Sequence, residues 1–554
     1  MKKFVSLLLA LSMMLCLFAG CSSSKGNDSP AGGDSASPKG EGVNVAMPYQ
    51  ITNLDEGINT ETGNDYILDH LYAGLFRKDE SGAAHNELCK DYTISEDGLT
   101  YTFTLVDDAL WSDGTPITAY DFEYGMLRAL SYGVDNAYSI MEILSYLKGA
   151  REYNLHACEV GNDFDCTVED HSSVGIHALD EKTLQIELSA PCAFFPALTA
   201  SRAWVAVHQS TPQHDSVWSL KAGFPTSGPY VLDEINPNEK AVLKKSDTYF
   251  KKDDITMDTV TFWCMPDEDA QTLAFETGEI DVALAVTSDA ADKYADTDTM
   301  KIIKRGTSYF IAINSGETGP ESLKDVNVRR ALALAIDKDS ISQVLGAQYY
   351  PALNGYIPHG APGETAEFRD EGDADGYTLV YDPDQAKELL AKAGYDESNP
   401  LKLHYKYSNN GIHGDVATLL HAFWDTVGIE VELDSVEYGV YFDQIDQGDF
   451  EICRYADSVL EDAIRLLKLW TTEGQVVPAV SDPVYDEMCN NTLQIRDHAA
   501  YIQAMHEMED YLVEENVYLI PLFEYMVPIL ISDRIQGVTF CGIDPFLGYS
   551  TIAE

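Results

Sequence analysis

Polar and apolar residues alternate at period two in Tyr101-Thr-Phe-Thr-Leu105 and in Thr183-Leu-Gln-Ile-Glu-Leu188, as expected of strands buried on one face. Other stretches keep the helical period. Thr118 to Leu130 does so after the turn residue Pro116, with a small hydroxyl residue at the cap position. Val326 to Ile336 and Pro383 to Ala393 are also helical in pattern, the second opened by Asp382-Pro383 and closed by Gly394. Met505 to Val513 carries apolar residues at helical spacing, and Val517-Tyr-Leu-Ile-Pro-Leu-Phe523 then reads as a buried strand. This mixture predicts α/β domains rather than a pure sandwich or bundle. No repeat at a period of roughly 20–50 residues marks a solenoid or propeller.

The N-terminus follows a different pattern. Lys2 and Lys3 precede an apolar run from Phe4 to Ala19 that is broken only by Ser6 and Ser12. The run falls short of the ~20 residues a spanning helix needs and has the charged-then-apolar order of a secretory signal. It ends Leu17-Phe18-Ala19-Gly20-Cys21, which resembles a bacterial lipobox with Phe18 in place of the usual Leu. That resemblance implies a signal peptide over residues 1–20 and a diacylated Cys21 as the mature N-terminus. Ser22 to Gly42 is rich in Gly and Ser and offers nothing to anchor a core. As a coil it spans roughly 25 Å, a tether for residues 21–42. No other segment has eighteen continuous apolar residues.

Charge narrows the partners. The 554 residues carry 36 Lys and Arg against 91 Asp and Glu, a formal charge of −55. Removing residues 1–20 takes away two Lys and makes it −57. A field this negative opposes nucleic-acid backbones. Beyond Cys16 and Cys21 there are eight cysteines, of which only Cys158 and Cys166 lie close in sequence. A bridge between them would stabilise by ~2.6 kcal/mol in the chain-entropy account. There is no C-x-x-C pair, phosphate-binding loop, H-E-x-x-H or G-x-S-x-G. The acidic stretch Glu371-Gly-Asp373-Ala-Asp375-Gly376, with Asp382 beyond it, approximates the oxygen-ligand spacing of a calcium loop. A solvated acidic loop is the alternative reading, and no cofactor is expected.

Tyr101 to Phe122, with its Trp111-Ser-Asp-Gly-Thr-Pro116 core, resembles the signature of the oligopeptide/dipeptide/nickel class of ABC-transporter solute-binding lipoproteins. Four more stretches agree in the order that family uses: Thr226-Ser-Gly-Pro-Tyr230, Thr277-Gly-Glu-Ile-Asp281, Asp325 to Asp337, and Tyr381 to Leu390. One departure is Val106, where the family usually has a basic residue. The resemblance implies a two-lobed α/β clamp with an extra domain inserted in the first lobe. Residues 43–85, 202–305 and 518–554 would form the first lobe, 86–201 the inserted domain and 306–517 the second lobe. Two crossovers would serve as a hinge.

The same resemblance implies a peptide ligand, a membrane permease and ATPase as partners, a monomer, and a place on the outer face of the bacterial cytoplasmic membrane. Ala456-Asp457 matches the context of the Asp that pairs with a peptide ammonium in oligopeptide-binding proteins. Arg454 matches a basic residue near the peptide carboxylate. The segment between them is shorter here, and the family's Gly-Trp is missing. Tyr438 falls where the family carries a cleft Trp, Tyr138 where it carries a cleft Tyr, and Thr60-Glu61-Thr62 where the first lobe offers a pairing strip. Two rivals follow. The shortened segment allows the same fold with a metal chelate, a glycan fragment or another small solute, and scattered Ser, His and Asp residues allow a secreted hydrolase.

Overall fold

The computed structural model describes residues 42–554 apart from 60–61, 80–82, 132–142, 145, 193, 214, 216, 460–462, 473, 475–479, 496, 542–543 and 554. The leader, the tether to residue 41, Cys21, Thr60, Glu61 and Tyr138 lie outside the described residues, as does the side chain of Thr62.

The main strands are β1 (Gly42–Met47), β2 (Cys89–Ile94), β3 (Thr100–Leu105), β4 (Ile176–Asp180), β5 (Thr183–Glu187), β6 (Tyr230–Asn236) and β7 (Lys240–Lys245). They continue with β8 (Thr259–Cys264), β9 (Val282–Ala283), β10 (Met300–Ile313), β11 (Leu401–Ser408), β12 (Ile429–Val436), β13 (Ile452–Ser458) and β14 (Leu519–Ile531). Helices include α1 (Thr62–Leu71), α2 (Ala119–Ala129), α3 (Val326–Leu334), α4 (Phe368–Asp375), α5 (Pro383–Lys392), α6 (His413–Thr426), α7 (Tyr438–Asp446) and α8 (His498–Asp510).

Ten strands make one sheet in the order β12-β11-β13-β10-β14-β9-β1-β8-β7-β6, and β2-β3-β5-β4 make a second. In β3 the alternation read from sequence sends Tyr101, Phe103 and Leu105 inward, each worth roughly 1.5–3 kcal/mol by burial. They join a core shared with Val43, Val45, Val260 and Phe262 of the large sheet, so the four-stranded sheet is fused to this lobe. Beyond the crossover the large sheet is buried on both faces. Tyr309, Ile311 and Ile313 of β10 enter one core with Leu420 and Trp424 of α6. The intervening Phe310 and Ala312 enter another with Met505 and Met508 of α8.

β10 and β14 run through both halves. Met300–Lys304 pair with Leu530–Met526, and Ser308–Ala312 pair with Glu524–Leu519. The register shifts between Lys304 and Ser308, so three residues on β10 face Tyr525 alone. Gly306 in that bulge has φ +65°, a left-handed value that glycine adopts at no steric cost.

The recognisable sequence motifs turn out to be joints of this scaffold. Asp113 closes the Trp111–Pro116 turn by accepting from the Thr115 N–H (2.9 Å) and hydroxyl (2.6 Å). The next residue docks on the second motif: Ser112 N–H donates to the Thr226 carbonyl at 2.9 Å, and Thr226 N–H donates back to Ser112 Oγ at 3.0 Å. Asp325 caps α3 through the Asn327 N–H (2.9 Å), and Asp382 caps α5 through the Gln385 N–H (2.9 Å). Arg329 donates to the Asn516, Leu323 and Lys324 carbonyls, holding the turn that feeds β14. His70 on α1 pins the C-terminal segment: Nε2 accepts from Leu547 N–H at 3.1 Å, while Nδ1 lies 2.8 Å from the Tyr66 carbonyl. Burial pushes this imidazole down to about 4 and keeps it neutral.

Two expectations change. Cys158 is exposed and Cys166 buried, and both are unbridged. The acidic stretch from Glu371 is not a loop, because α4 runs to Asp375. Glu371 accepts from the N–H groups of Glu364, Thr365 and Ala366. These bonds outweigh partial burial and lower its carboxyl to about 2. Asp373 lies 3.0 Å from Arg369 Nε, and Asp382 is occupied as a cap. Glu371, Asp373 and Asp382, three of the oxygen donors read as a calcium loop, are thus committed to separate tasks.

Candidate ligand-binding site

β13 carries both charged candidates. In register, Asp457 lies opposite Ser308 and Arg454 opposite Ile311 on β10. Asp457 therefore stands beside the bulge between the two halves. Its Oδ2 accepts from the Tyr356 hydroxyl at 3.0 Å. Tyr356 is itself buried against Phe310 and Trp470, with ring centroids 5.1 and 6.0 Å away. Among the described residues no Lys or Arg forms an ion pair with this carboxylate. Burial raises its pKa to about 6, although the Tyr356 hydrogen bond and the charge of Arg465 oppose the shift.

Arg454 is 5% exposed. Its Nε and Nη2 donate to Ser408 Oγ at 3.2 and 2.8 Å. The guanidinium lies over Tyr441 and Phe442 of α7, 5.0 and 5.4 Å from the ring centroids, contacts that favour a cation. Neither a carboxylate nor a second hydroxyl completes this set among the described residues. His413 at the start of α6 is driven down to about 4 by burial and by the charge of Arg454. It lies 5.6 Å from the Tyr309 ring. The hydroxyls of Tyr309 and Tyr405 face each other, while Nδ1 of His413 is buried without a hydrogen-bond partner among the described residues.

The two charges share no partner. Two residues of β13 lie between them, and with this odd spacing their side chains leave opposite faces of the sheet, Arg454 on the face of Ile311 and Asp457 on the face of Phe310.

The other candidates lie apart. Tyr438 begins α7, is 50% exposed, and meets Phe442 edge-on at 5.6 Å. Thr62 begins α1, directly after the undescribed residues 60–61. The segment leading there is held from beneath by Arg128 of α2. Arg128 meets Asp55 through two contacts, 2.9 and 2.5 Å, and Glu56 at 3.2 Å. Trp218 Nε1 donates to Asp55 at 2.7 Å. Burial and the adjacent Asp55 charge raise Glu56 to about 7, against the pull of Arg128.

A family model described as the bacterial extracellular solute-binding proteins, family 5 middle region, matches residues 83–463. The chain belongs to this family. The dipeptide-binding protein DppE of Bacillus subtilis (strain 168) is 26% identical over 554 residues, covering 97% of this chain and 96% of its own. The oligopeptide-binding protein OppA of the same organism is 25% identical over 565 residues and 98% of both chains. The solved structure of the Escherichia coli murein tripeptide binding protein MppA matches with a TM-score of 0.71 at 23% identity, covering 92% of this chain and 98% of its own. The architecture is accordingly the family's two-lobed α/β clamp. β1, β6–β9 and the four-stranded sheet share one core, and β11–β13 with Ser308–Ile313 of β10 and Leu519–Glu524 of β14 line two others. No helix among the described residues is long and apolar enough to cross a membrane.

Asp457 and Arg454 are brought onto one strand, whereas Tyr438 stands on a helix at its side. Sequence reading missed Tyr356, Ser408, His413 and Tyr309, which surround the two charges. Each is an ordinary residue in its own stretch. They meet through the pairing of β10, β11 and β13, and no local pattern announces that pairing.

Proposed function

We propose that this protein is the receptor of an ABC importer: it captures short peptides between its lobes and passes them to a membrane permease and ATPase, with no catalysis of its own. Diacylated Cys21 and the tether would hold it at the outer face of the cytoplasmic membrane. The observation that carries the reading is Asp457, a carboxylate on β13 beside the bulge, held by the Tyr356 hydroxyl and in no ion pair among the described residues. An enclosed peptide ammonium needs such a partner, because an unpaired buried charge is costly. Beyond that anchor the peptide's N–H and C=O groups would pair in strand fashion whatever the side chains. The printed names of the relatives, dipeptide- and oligopeptide-binding, support the same ligand class.

The test is native mass spectrometry of gently purified protein, followed by calorimetry with short peptides. A co-purified series of peptide masses and saturable binding of a tripeptide are expected. A retained sugar or metal chelate without any peptide would overturn the reading in favour of another solute, and turnover of the peptide would overturn it in favour of a hydrolase.

A further inference from the structure

We propose that His359, Glu367 and Asp370 form a zinc site beside the strands that join the lobes. One ligand atom from each of the three lies within 4.8 Å of the others. Glu367 precedes α4 and Asp370 sits in its first turn, while His359 comes from the preceding loop.

The orientation of the imidazole is what makes this more than a cluster of acids. His359 Nδ1 lies 2.6 Å from Glu524 Oε1, and the His359 backbone N–H donates to Glu524 Oε2 at 3.1 Å. Glu524 is buried on β14. A carboxylate only accepts, so Nδ1 carries the proton. Nε2 then faces Asp370 Oδ1 at 3.3 Å, and in the neutral imidazole it presents its lone pair there. Two acceptors at that distance require a cation between them, a proton or a metal ion. A buried carboxylate that takes one imidazole N–H and turns the other nitrogen toward acidic ligands is the arrangement that orients zinc-bound histidines. One nitrogen and two carboxylates also suit zinc better than the all-oxygen shells of calcium or magnesium.

The surroundings set the strength of the site. His359 and Asp370 side chains are 19% and 56% exposed, so an ion can enter from solvent. Glu367 already holds the Lys304 ammonium at 2.8 Å and the Gly360 N–H at 2.9 Å. Lys304 belongs to β10 just before its bulge, so the ion and this lysine compete for one carboxylate. The site is independent of the peptide reading.

The experiment titrates zinc chloride into the full chain, stripped with a chelator and dialysed, by calorimetry near neutral pH and at physiological salt. One ion per chain is expected, with H359A and D370N each weakening binding about tenfold or more. K304Q, which removes the competing cation, should bind zinc at least as tightly as the unaltered protein. Circular dichroism without zinc verifies that each variant is folded, and a folded E367Q serves where H359A is not. Absence of saturable one-to-one binding would overturn the site. So would unchanged affinity in the folded ligand variants, which would assign the zinc to scattered surface carboxylates.

Discussion

Arg128 in the first lobe and Arg454 in the second are both buried guanidinium groups, yet they are used in opposite ways. Arg128 is fully enclosed and faces Asp55 and Glu56, with Trp218 completing the Asp55 carboxylate. Arg454 is nearly as enclosed but has one serine hydroxyl and two aromatic rings. A buried charge with its counter-ion beside it is finished, and its work is to hold a segment in place. A buried charge without one keeps its capacity for an anion that arrives later. Asp457, with Tyr356 as its hydrogen-bond partner and no ion pair among the described residues, has the same unfinished character with the opposite sign.

The largest expected effect tests the finished side. Arg128→Ala leaves Asp55 buried without its partner and should destabilise the fold by about 3–5 kcal/mol in denaturant unfolding. A loss below about 1 kcal/mol would mean that the pair is not structural. Next, Asp457→Ala removes a charge-assisted bond of ~1.5–3 kcal/mol, so calorimetry should show peptide affinity falling by one to two decades. Its unfolding free energy should change little, because a carboxylate whose ionisation costs energy is removed while the buried Tyr356 hydroxyl loses its acceptor. Arg454→Met should lower affinity about tenfold for peptides with a free C-terminal carboxylate and leave C-terminally amidated peptides unaffected. An equal loss for both would return Arg454 to a purely structural role.

The smallest effect is a pH profile. Asp457 pairs with an ammonium only when ionised, and its carboxyl is raised to about 6. Peptide affinity should therefore fall as pH drops through about 6, by at most tenfold per unit, and Asp457→Asn should flatten that region. In the free protein the sign reverses. A carboxyl raised above its ordinary value binds protons more tightly folded than unfolded, so its contribution to stability is fully present below the ordinary value of 3.8 and is lost as pH rises from there through about 6.

The legibility of the sequence divides along the same line. Asp113 with Thr115, Asp325 with Asn327, and Asp382 with Gln385 act on neighbours in the same turn, so their spacing is visible in the chain, whereas Ser112 and Arg329 reach Thr226 and Asn516 from distant segments. They were read correctly as marks of a fold, and in the structure they cap, turn and dock. The set around Arg454 is of another kind. Ser408, His413 and Tyr441 come from three elements, and their meeting depends on β11 and β13 pairing in parallel with Lys406 opposite Cys453. That register is decided by burial on both faces of the sheet, which one sequence does not display. The helix α4 in place of an acidic loop was missed for a related reason. Phe368 and Arg369 are the anchors that bury it, and they precede the acidic run whose spacing drew attention.

The bulge opposite Tyr525 carries one more consequence. Because the ladder between β10 and β14 is already interrupted between Lys304 and Ser308, bending the molecule there ruptures no backbone hydrogen bond between the two strands. What still ties the joint is lateral: the Gly306 carbonyl accepts from the Val459 N–H at 2.7 Å and Thr307 stands opposite Ser458, so the seam is open toward β14 and stitched toward β13.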